Sequence, residues 1–316
     1  MNYSCDVYED TRKAYGETLV QLGEERDDIV VLDADLSSST QTHMFAKKFP
    51  HRFFNVGVAE QNLMGMSAGL ALSGKTVFAS AFAMFGAGRA WEQIRNTIAY
   101  DRLNVKIVLT HAGITVGKDG ASHQIIEDLA LMRVIPNMKV QVPADATETR
   151  ALVRAAAAYD GPVYIRLTRE KSPKIFDAYD YPDGRAITLI EGADVSILAC
   201  GYMLAEAIIA AAELKKQGIS ASILNINTIK PLDAYSIVSE AKKTGAIVTA
   251  EEHSIIGGLG GAVSEVLCEN YPVPLMKVGI KDLFGKSGSS KDLMNKFEIT
   301  SENIVDAAKK AIKAKN

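Results

Sequence analysis

Short apolar runs alternate with amphipathic segments along the chain, and this alternation constrains the fold more than any other feature. The runs are continuous, which is typical of strands in a parallel sheet covered by helices on both faces. They predict strands at 28–35, 76–81, 105–110, 139–142, 163–167, 195–199, 221–225, 246–251 and 275–278. The segments between them predict helices at 10–25, from 60 onward, and at 88–100, 126–134, 146–158, 204–217, 234–243, 261–269 and 301–313.

The alternation is interrupted once, over residues 171–191, by Pro173, Pro182, the Asp183-Gly184 pair and two tyrosines. A chain of 316 residues has the length of about two domains. We therefore predict two consecutive α/β domains, residues 1–175 and 190–316, each a mostly parallel sheet with helices on both faces.

Charge and composition argue against several classes of protein. The net charge is −3 with acids and bases mixed, which indicates neither nucleic acid nor an anionic membrane as a partner. No apolar run reaches the ~18 residues of a membrane span, and the first residues lack the layout of a signal peptide. The three cysteines, Cys5, Cys200 and Cys268, are too widely spaced to suggest a disulfide framework. We predict a cytoplasmic protein.

Glu60 is the first candidate functional residue, because it stands where an apolar segment turns into a helix. Phe53, Phe54, Val56 and Val58 before it predict a buried strand end, and small residues after it predict a helix face that another backbone can approach. A carboxylate in such surroundings is either paired or held at a raised pKa. Such groups concentrate in functional sites, although structural ion pairs imitate them, and the alternative is an ordinary acid at a helix start.

A second candidate site is the loop after the strand at 105–110. His111, Asp119 and His123 occur there among three glycines. Ligands of open α/β sheets bind beyond the carboxyl ends of the strands, so the location suits a site. A single loop histidine is usually only solvated, but this combination is harder to explain in that way.

Three motifs are better explained by structure than by function. Residues 69–76 match G-x-x-x-x-G-K-T, but the order is helix then strand, the reverse of a phosphate loop, and Gly74 is expected to end the helix. Residues 257–261 (GGLGG) lack dinucleotide-binding spacing and predict a tight turn or a close domain contact. Glu251-Glu252-His253 has no accompanying ligand group, so we interpret it as structural.

Three segments, read together, resemble one family. The segment 55–62 (NVGVAEQN) is similar to the G-V/I-x-E motif of the transketolase family of thiamine diphosphate enzymes, and 78–85 and 110–124 continue the match in order and spacing. The block from Glu251 to Gly258 resembles the C-terminal domain of the same family, where it shapes the interface and not the chemistry.

The resemblance implies how the cofactor is bound. Glu60 would bond N1′ of the aminopyrimidine and act in acid–base catalysis, an effect of typically 10²- to 10⁴-fold. Phe82 and Phe85 match the aromatic pocket of the pyrimidine ring, and Asp35 matches an acid near the cofactor. Gly88 stands where the family often has a third aromatic residue.

It also implies how the substrate is bound. Asp119 and His123 would bond hydroxyls of the donor sugar, His123 being the second catalytic candidate, and His111 would help to hold the substrate phosphate. Arg12, Ser39 and Arg169 match positions that clasp this phosphate, for which the planar donor fork of arginine is suited. Arg166 matches no such position, and we predict a surface ion pair for it.

The G-D-G motif that anchors the diphosphate through a metal is not found. Lys118-Asp119-Gly120 is the one candidate, and it lies inside the substrate loop without the downstream asparagine pair. The chain thus resembles the C-terminal half of a transketolase, and we predict no metal ligand in it. The expected partner is an N-terminal transketolase subunit that supplies the Mg²⁺ ligands, in an α2β2 heterotetramer that acts on sugar phosphates of the pentose phosphate type.

Three alternatives stay open at this point. The G-V-A-E-Q and E-E-H segments also resemble 1-deoxy-D-xylulose-5-phosphate synthase, which would use pyruvate as donor. A β subunit of a 2-oxo acid dehydrogenase would transfer to a lipoyl acceptor. A binding or regulatory subunit with a decayed site is the third, and the presence of Glu60, Asp119 and His123 argues against it.

Overall fold

A computed structural model describes residues 7–315, so that Cys5 lies outside the described residues. Cys200 in it is a buried free thiol and Cys268 an exposed one. The strands are β1 (Tyr8–Glu9), β2 (Ile29–Asp33), β3 (Phe53–Asn55), β4 (Thr76–Phe82), β5 (Val105–Thr110), β6 (Lys139–Gln141), β7 (Val163–Arg166), β8 (Ser172–Pro173), β9 (Ile187–Ile190), β10 (Val195–Ala199), β11 (Ala221–Asn225), β12 (Thr228–Lys230), β13 (Ile247–Ser254) and β14 (Leu275–Ile280).

Twelve α-helices occur among the described residues. They are α1 (Thr11–Glu25), α2 (Ser37–Thr40), α3 (His43–Lys48), α4 (Glu60–Leu72), α5 (Trp91–Gln93), α6 (Asp128–Arg133), α7 (Ala146–Ala158), α8 (Met203–Lys216), α9 (Ala234–Thr244), α10 (Leu259–Asn270), α11 (Ser290–Lys296) and α12 (Ser301–Ala314). Two π-helices (Met84–Arg89 and Ile94–Ala99) and two 3₁₀-helices (Pro50–Arg52 and Ile114–Asp119) complete the set. Within residues 7–315, no helix combines the length and apolarity that crossing a membrane requires.

The first sheet has seven strands in the order β12-β6-β7-β5-β4-β2-β3. All neighbours pair in parallel except β12, which is antiparallel to β6. One face packs against α1, α3 and α7 through a core that includes Tyr15, Phe45 and Phe78. The other face packs against α4 and the helical segment that follows β4. The prediction of a parallel sheet covered on both faces is confirmed.

The second sheet has five strands in the order β14-β13-β10-β11-β9, with only β9 antiparallel. Helices α8 and α12 cover one face, and α9 and α10 cover the other. The apolar core on the α9 and α10 side is continuous with the core of the first sheet, since Leu198 and Leu259 belong to the same cluster as Leu109 and Leu129. The two halves are therefore joined by buried apolar surface as well as by the edge strand β12.

The region after β4 differs from the prediction. A helix was expected over 88–100, but the helical segment begins at Met84 and contains two π-helices. A π-helix holds one extra residue per turn and is frequent at functional sites. The strands β1, β8, β9 and β12 and the helices α3 and α11 were not predicted as separate elements. They are short, and β1, β8 and β12 are formed by pairing with distant segments.

The prediction that residues 69–76 form a helix end and not a phosphate loop is confirmed. Helix α4 ends at Leu72, Gly74 has φ 86°, and β4 begins at Thr76. The glycine run at 257–261 is also as predicted. Gly257 has φ 77°, and a Cβ there would lie 2.7 Å from Cβ of Ala130 in the first half. The glycine is thus required by a close contact between the halves.

A buried polar network links the two halves around Glu148 of α7. Its carboxylate accepts hydrogen bonds from Asn225 Nδ2 (2.7 Å), Asn227 Nδ2 (2.9 Å) and the backbone N–H of Ala144 (2.7 Å). Burial raises the pKa of Glu148 to about 7, against the lowering effect of these bonds. The group is therefore poised to change charge near neutral pH inside the junction.

We expect Glu148 to make the junction sensitive to pH. Its folded pKa lies above the unfolded value, so the folded state holds a proton that the unfolded state has lost between about pH 4.5 and 7. The contribution of Glu148 to the free energy of unfolding is therefore complete below the unfolded pKa. It falls, by a few kcal/mol at most, as the pH rises through 7.

The test is the melting temperature from pH 5 to 8 of the wild type and of Glu148→Gln, which has no such proton. The melting temperature of Glu148→Gln should increase relative to that of the wild type as the pH rises. The exposed control Glu269→Gln should follow the wild type at every pH. A constant difference between the wild type and Glu148→Gln would contradict the prediction.

Candidate active site

The candidate residues lie beyond the carboxyl ends of five parallel strands of the first sheet. Asp35 follows β2, Glu60 follows β3, Phe82 ends β4, His111 follows β5, and Arg169 follows β7. Because these strands are parallel, their carboxyl ends meet at one edge of the sheet, where open α/β folds bind ligands. The topology thus brings together residues that are more than a hundred positions apart.

Glu60 opens α4 and is only 1% exposed. Its Oε2 accepts a hydrogen bond at 2.7 Å from the guanidinium of Arg89, whose side chain is 51% exposed. Of the two states expected for this carboxylate, the structure shows the paired one. Arg89 also lies over the ring of Phe85, 5.0 Å from its centroid, so the acid and the aromatic pair belong to one site.

The segment before Glu60 is less buried than predicted, since Phe53, Phe54 and Val56 are only half-buried. Val58 was expected in a buried strand end, but it is 73% exposed. The strand ends at Asn55, and Gly57 with φ 74° turns the chain, so that Val58 faces outward. On the following helix Gly65 and Gly69 have no atom within 4 Å of an added Cβ, which leaves a face of α4 open as predicted.

Four rings form the centre of the site. The ring of His111 stacks on Phe82 with centroids 3.8 Å apart. His123 meets Phe85 edge to face at 5.2 Å and Phe82 at 6.5 Å. Phe82 and Phe85 are half-buried, so each keeps ring surface free for contact. The structure therefore brings together the two predicted cofactor phenylalanines and the two predicted substrate histidines.

His111 is neutral at physiological pH, so it would contact a substrate phosphate as a neutral donor and not as a cation. Burial lowers its pKa to about 3, with further lowering by the charges of Arg12, Arg169 and His123. Its Nδ1 pairs with the hydroxyl of Thr110 at 2.8 Å. Arg12, Arg169 and His123 therefore lie near one buried imidazole, which can offer one N–H donor to a ligand.

Arg12 is held in place by its own helix start. Asp10 caps α1 and also accepts from Arg12 Nε at 3.2 Å and from a terminal nitrogen at 2.9 Å. The other terminal nitrogen donates to the carbonyl of Ser39 at 3.1 Å. Ser39 thus contacts the arginine through its backbone, and Asp10 is a positioning residue that the sequence analysis did not single out.

The site loop, defined as residues 111–127, carries Asp119 and His123. Arg169 donates to the carbonyl of Val116 in this loop at 3.1 Å. Asp119 ends the 3₁₀-helix of the loop and is exposed, and so is Asp35, which accepts from Asn55 Nδ2 at 2.9 Å. Asp35 and Asp119 are therefore on the open side of the site, in contrast to Glu60 and His111.

The prediction for Arg166 is wrong. It was expected to form a surface ion pair, but it is 4% exposed and its Nε pairs with Asp128 Oδ2 at 2.8 Å. Tyr164 donates to the same oxygen at 2.7 Å, and a terminal nitrogen of Arg166 donates to the carbonyl of Glu252 at 2.9 Å. Arg166 is the last residue of β7, an interior strand of the sheet, and this position explains its burial.

Arg89 is the functional candidate that the sequence analysis missed. The available signal was an arginine four residues after the second phenylalanine. Because the helix was predicted to begin only at residue 88, its periodicity did not orient Arg89 toward Glu60. The π-helix that begins at Met84 places it there. An added Cβ on Gly88 would meet only Met84, at 3.6 Å, so the place of a third aromatic residue is open.

Two family models match the chain. The model of the transketolase pyrimidine-binding domain matches residues 8–174. The model of the transketolase C-terminal domain matches residues 184–304. Together they cover both sheets and every candidate residue.

Individual relatives match over nearly the whole length. The predicted transketolase C-terminal section of Methanocaldococcus jannaschii is 53% identical over 302 residues, which are 94% of this chain and 95% of that one. A 6-deoxy-6-sulfo-D-fructose transketolase subunit of Clostridium sp. (strain MSTE9) is 45% identical over 306 residues, 96% of this chain and 95% of that one.

A solved structure has the same fold. It is described as a split gene transketolase in an inactive β4 tetramer, with a TM-score of 0.91 and 55% identity. The alignment covers 97% of this chain and 99% of that chain.

Proposed function

Because the chain belongs to the transketolase family, we propose that it is the C-terminal subunit of a two-subunit transketolase. The reaction would transfer a two-carbon ketol unit from a ketose phosphate to an aldose phosphate. The observation that carries the proposal is the buried carboxylate of Glu60, which lies beside the half-buried aromatic pair at the carboxyl edge of the first sheet.

The residues fit the aminopyrimidine half of thiamine diphosphate. Phe82 and Phe85 offer free ring surface, Glu60 offers a buried carboxylate, and Gly88 leaves open space beside them. The cofactor, when bound, supplies a nucleophilic C2 carbon in its thiazolium ring. Glu60 would exchange a proton with N1′ of the pyrimidine, and the aromatic pair would hold the ring, each contact adding about 0.5–1.5 kcal/mol.

The remaining residues suit the recognition of a phosphorylated sugar. Arg12 and Arg169 are the two cations near the buried imidazole of His111, and neutral His111 can add one N–H donor. On the site loop, Asp119 is exposed and His123 is half-buried, and both could bond sugar hydroxyls. The role of each of these residues, and of Asp35 and Ser39, is part of the proposal.

The partner is proposed from three observations. The chain matches relatives that are themselves named as a C-terminal section and as a subunit, and its sequence lacks the G-D-G motif of the diphosphate anchor. The open face of α4, with Met66 38% exposed and Leu72 71% exposed, offers a surface for another chain. An N-terminal subunit would bring the diphosphate and Mg²⁺ contacts. The α2β2 assembly, the cytoplasmic location and the division at 1–175 and 190–316 stay predictions.

The donor that we propose carries an anionic group, either a phosphate or a sulfonate. The relative named for 6-deoxy-6-sulfo-D-fructose suggests that a sulfonate can replace phosphate in this type of site. Both anions would be held by the same arginine donors. Pyruvate as donor would favour the deoxyxylulose-phosphate synthase alternative, and a lipoyl acceptor would favour the 2-oxo acid dehydrogenase alternative.

The isolated chain should bind thiamine diphosphate weakly and turn over no substrate, because half of the cofactor contacts are missing. We expect ketol transfer to begin when an N-terminal transketolase subunit that carries the G-D-G motif is added. Titration calorimetry with cofactor and Mg²⁺ measures the binding, and a coupled assay with a ketose phosphate, its sulfonate analogue and pyruvate measures the reaction. Micromolar cofactor binding or ketol transfer by the chain alone would contradict the two-subunit proposal.

A further inference from the structure

The site loop contains only a short 3₁₀-helix and one β-bridge, and several of its residues have positive φ. Gly113, Gly117 and Gly120 have φ of 82°, 80° and 76°, and His111 has φ 61°. Gly117 also breaks the 3₁₀-helix of the loop with a non-helical conformation. A segment with so many left-handed residues needs contacts from outside to select one conformation.

Glu252 on β13 holds the beginning of the loop. Its side chain is 3% exposed, and Oε1 accepts the backbone N–H of Thr115 at 2.7 Å. A Cβ on Gly113 would lie 2.2 Å from the same oxygen, so the loop can approach the carboxylate only as glycine. A carboxylate from the second half of the chain therefore contacts the loop directly at Gly113 and Thr115.

The two following residues contact the end of the loop and the start of α6, which follows it. His253 Nε2 accepts the N–H of Leu129 at 3.2 Å, while its Nδ1 lies 2.8 Å from the carbonyl of Ser254. The N–H of Ser254 donates to the carbonyl of Ile126 at 2.8 Å. Consecutive residues of β13 thus form hydrogen bonds at both ends of the loop.

A second segment of the C-terminal half holds the middle. The carbonyl of Lys286 accepts from Gln124 Nε2 at 2.9 Å, and the hydroxyl of Ser290 donates to the carbonyl of Thr115 at 3.1 Å. A Cβ on Gly120 would lie 2.5 Å from Oγ of Ser287. Asp119 and His123 lie between these contact points.

We infer that the C-terminal half positions the substrate-recognition loop of the first half, with Glu252 as the central positioning residue. The E-E-H block then does more than join the domains, because it determines where Asp119 and His123 stand. The inference about loop order depends only on the contacts described. Its consequence for substrate recognition rests on the proposed function.

Hydrogen–deuterium exchange of the purified chain tests loop order without any activity. Glu252→Leu removes the acceptor for Thr115, and we expect exchange over residues 113–124 to become roughly 5- to 150-fold faster. Glu252→Gln keeps an acceptor oxygen and should stay within about threefold of the wild type. The milder variant Ser290→Ala should accelerate exchange over the same segment by a smaller factor. It replaces Glu252→Leu in the test if that variant does not fold.

The matched control is Glu240→Leu, which removes another buried carboxylate of the second half, bonded to Ser196 at 2.7 Å and distant from the loop contacts. It should leave the loop exchange unchanged. Unchanged loop exchange in both Glu252→Leu and Ser290→Ala would overturn the inference. Acceleration of β5 to the same extent as the loop, with no effect of Ser290→Ala, would also overturn it, since that pattern is a general loss of stability.

The assembled enzyme gives the second measurement. In Glu252→Leu the KM for the phosphorylated donor should rise about tenfold or more, because Asp119 and His123 are displaced, whereas deuterium exchange at C2 of the bound cofactor should stay within twofold. Glu252→Gln should restore the KM. If the wild-type assembly transfers no ketol unit, the proposed function has failed, and the exchange experiment on the isolated chain still decides whether the loop is positioned by Glu252.

Discussion

Replacing Glu60 by glutamine should slow deprotonation at C2 of thiamine diphosphate by at least ~10²-fold in the assembled enzyme while leaving the fold intact. The amide has the shape of the carboxyl group but cannot exchange a proton with N1′. Glu60 is 1% exposed, so water cannot readily take over its role. The measurement is the rate of hydrogen–deuterium exchange at C2 of the bound cofactor, followed by quenched-flow and NMR.

Two variants serve as references for this result. Glu92→Gln makes the same chemical change on the exposed side of the neighbouring helix, and it should leave the exchange rate unchanged. Arg89→Met removes the guanidinium from Glu60 Oε2 but keeps the acid, so it should slow the exchange much less than Glu60→Gln. If the exchange rate of Glu60→Gln equals that of the wild type, Glu60 is a structural acid at a helix start.

Replacing Arg169 by alanine should raise the KM for a phosphorylated donor by roughly 10- to 150-fold, the loss expected for one charge-assisted hydrogen bond. A donor without phosphate should respond little, because it does not make the contact. His123→Ala should instead impair both donors, since the hydroxyls near the reacting carbon are common to them. Measuring KM and kcat of both variants with both donors separates the two roles.

A control is needed because Arg169 also holds the site loop through the carbonyl of Val116. Arg169→Gln keeps an N–H donor for this carbonyl but loses the charge. It should behave like Arg169→Ala toward the phosphorylated donor if charge is the reason for the effect. Equal impairment of both donors by Arg169→Ala would contradict the phosphate contact and would favour pyruvate or another small 2-oxo acid.

Several elements could be predicted to the residue. The bounds of α7, β10 and β11 agree with the sequence analysis. Their signals are local: Asp145 caps α7 by accepting from the N–H of Glu148, and the strands are continuous apolar runs between polar turns. Local signals of this kind depend only on neighbouring residues, so they can be read without the tertiary structure.

Elements that depend on distant segments could not be predicted. The strands β1 and β8 exist because they pair with each other across more than 160 residues, and β12 exists because it adds to β6. The π-helices after β4 are another case, since one extra residue in a turn leaves the apolar pattern nearly unchanged while it moves the position of Arg89.

The sequence by itself determined the class of fold and the order of most strands and helices. It also placed the loop that begins at His111 at the ligand-binding edge of the sheet, because ligands of parallel sheets bind beyond the carboxyl ends of the strands. The tertiary structure alone decided the partners: Arg89 on Glu60, Asp128 on Arg166 and Glu252 on the site loop. Hydropathy patterns depend on residues a few positions apart, whereas the ionisation and orientation of a buried polar group depend on whichever distant group fills its hydrogen bonds.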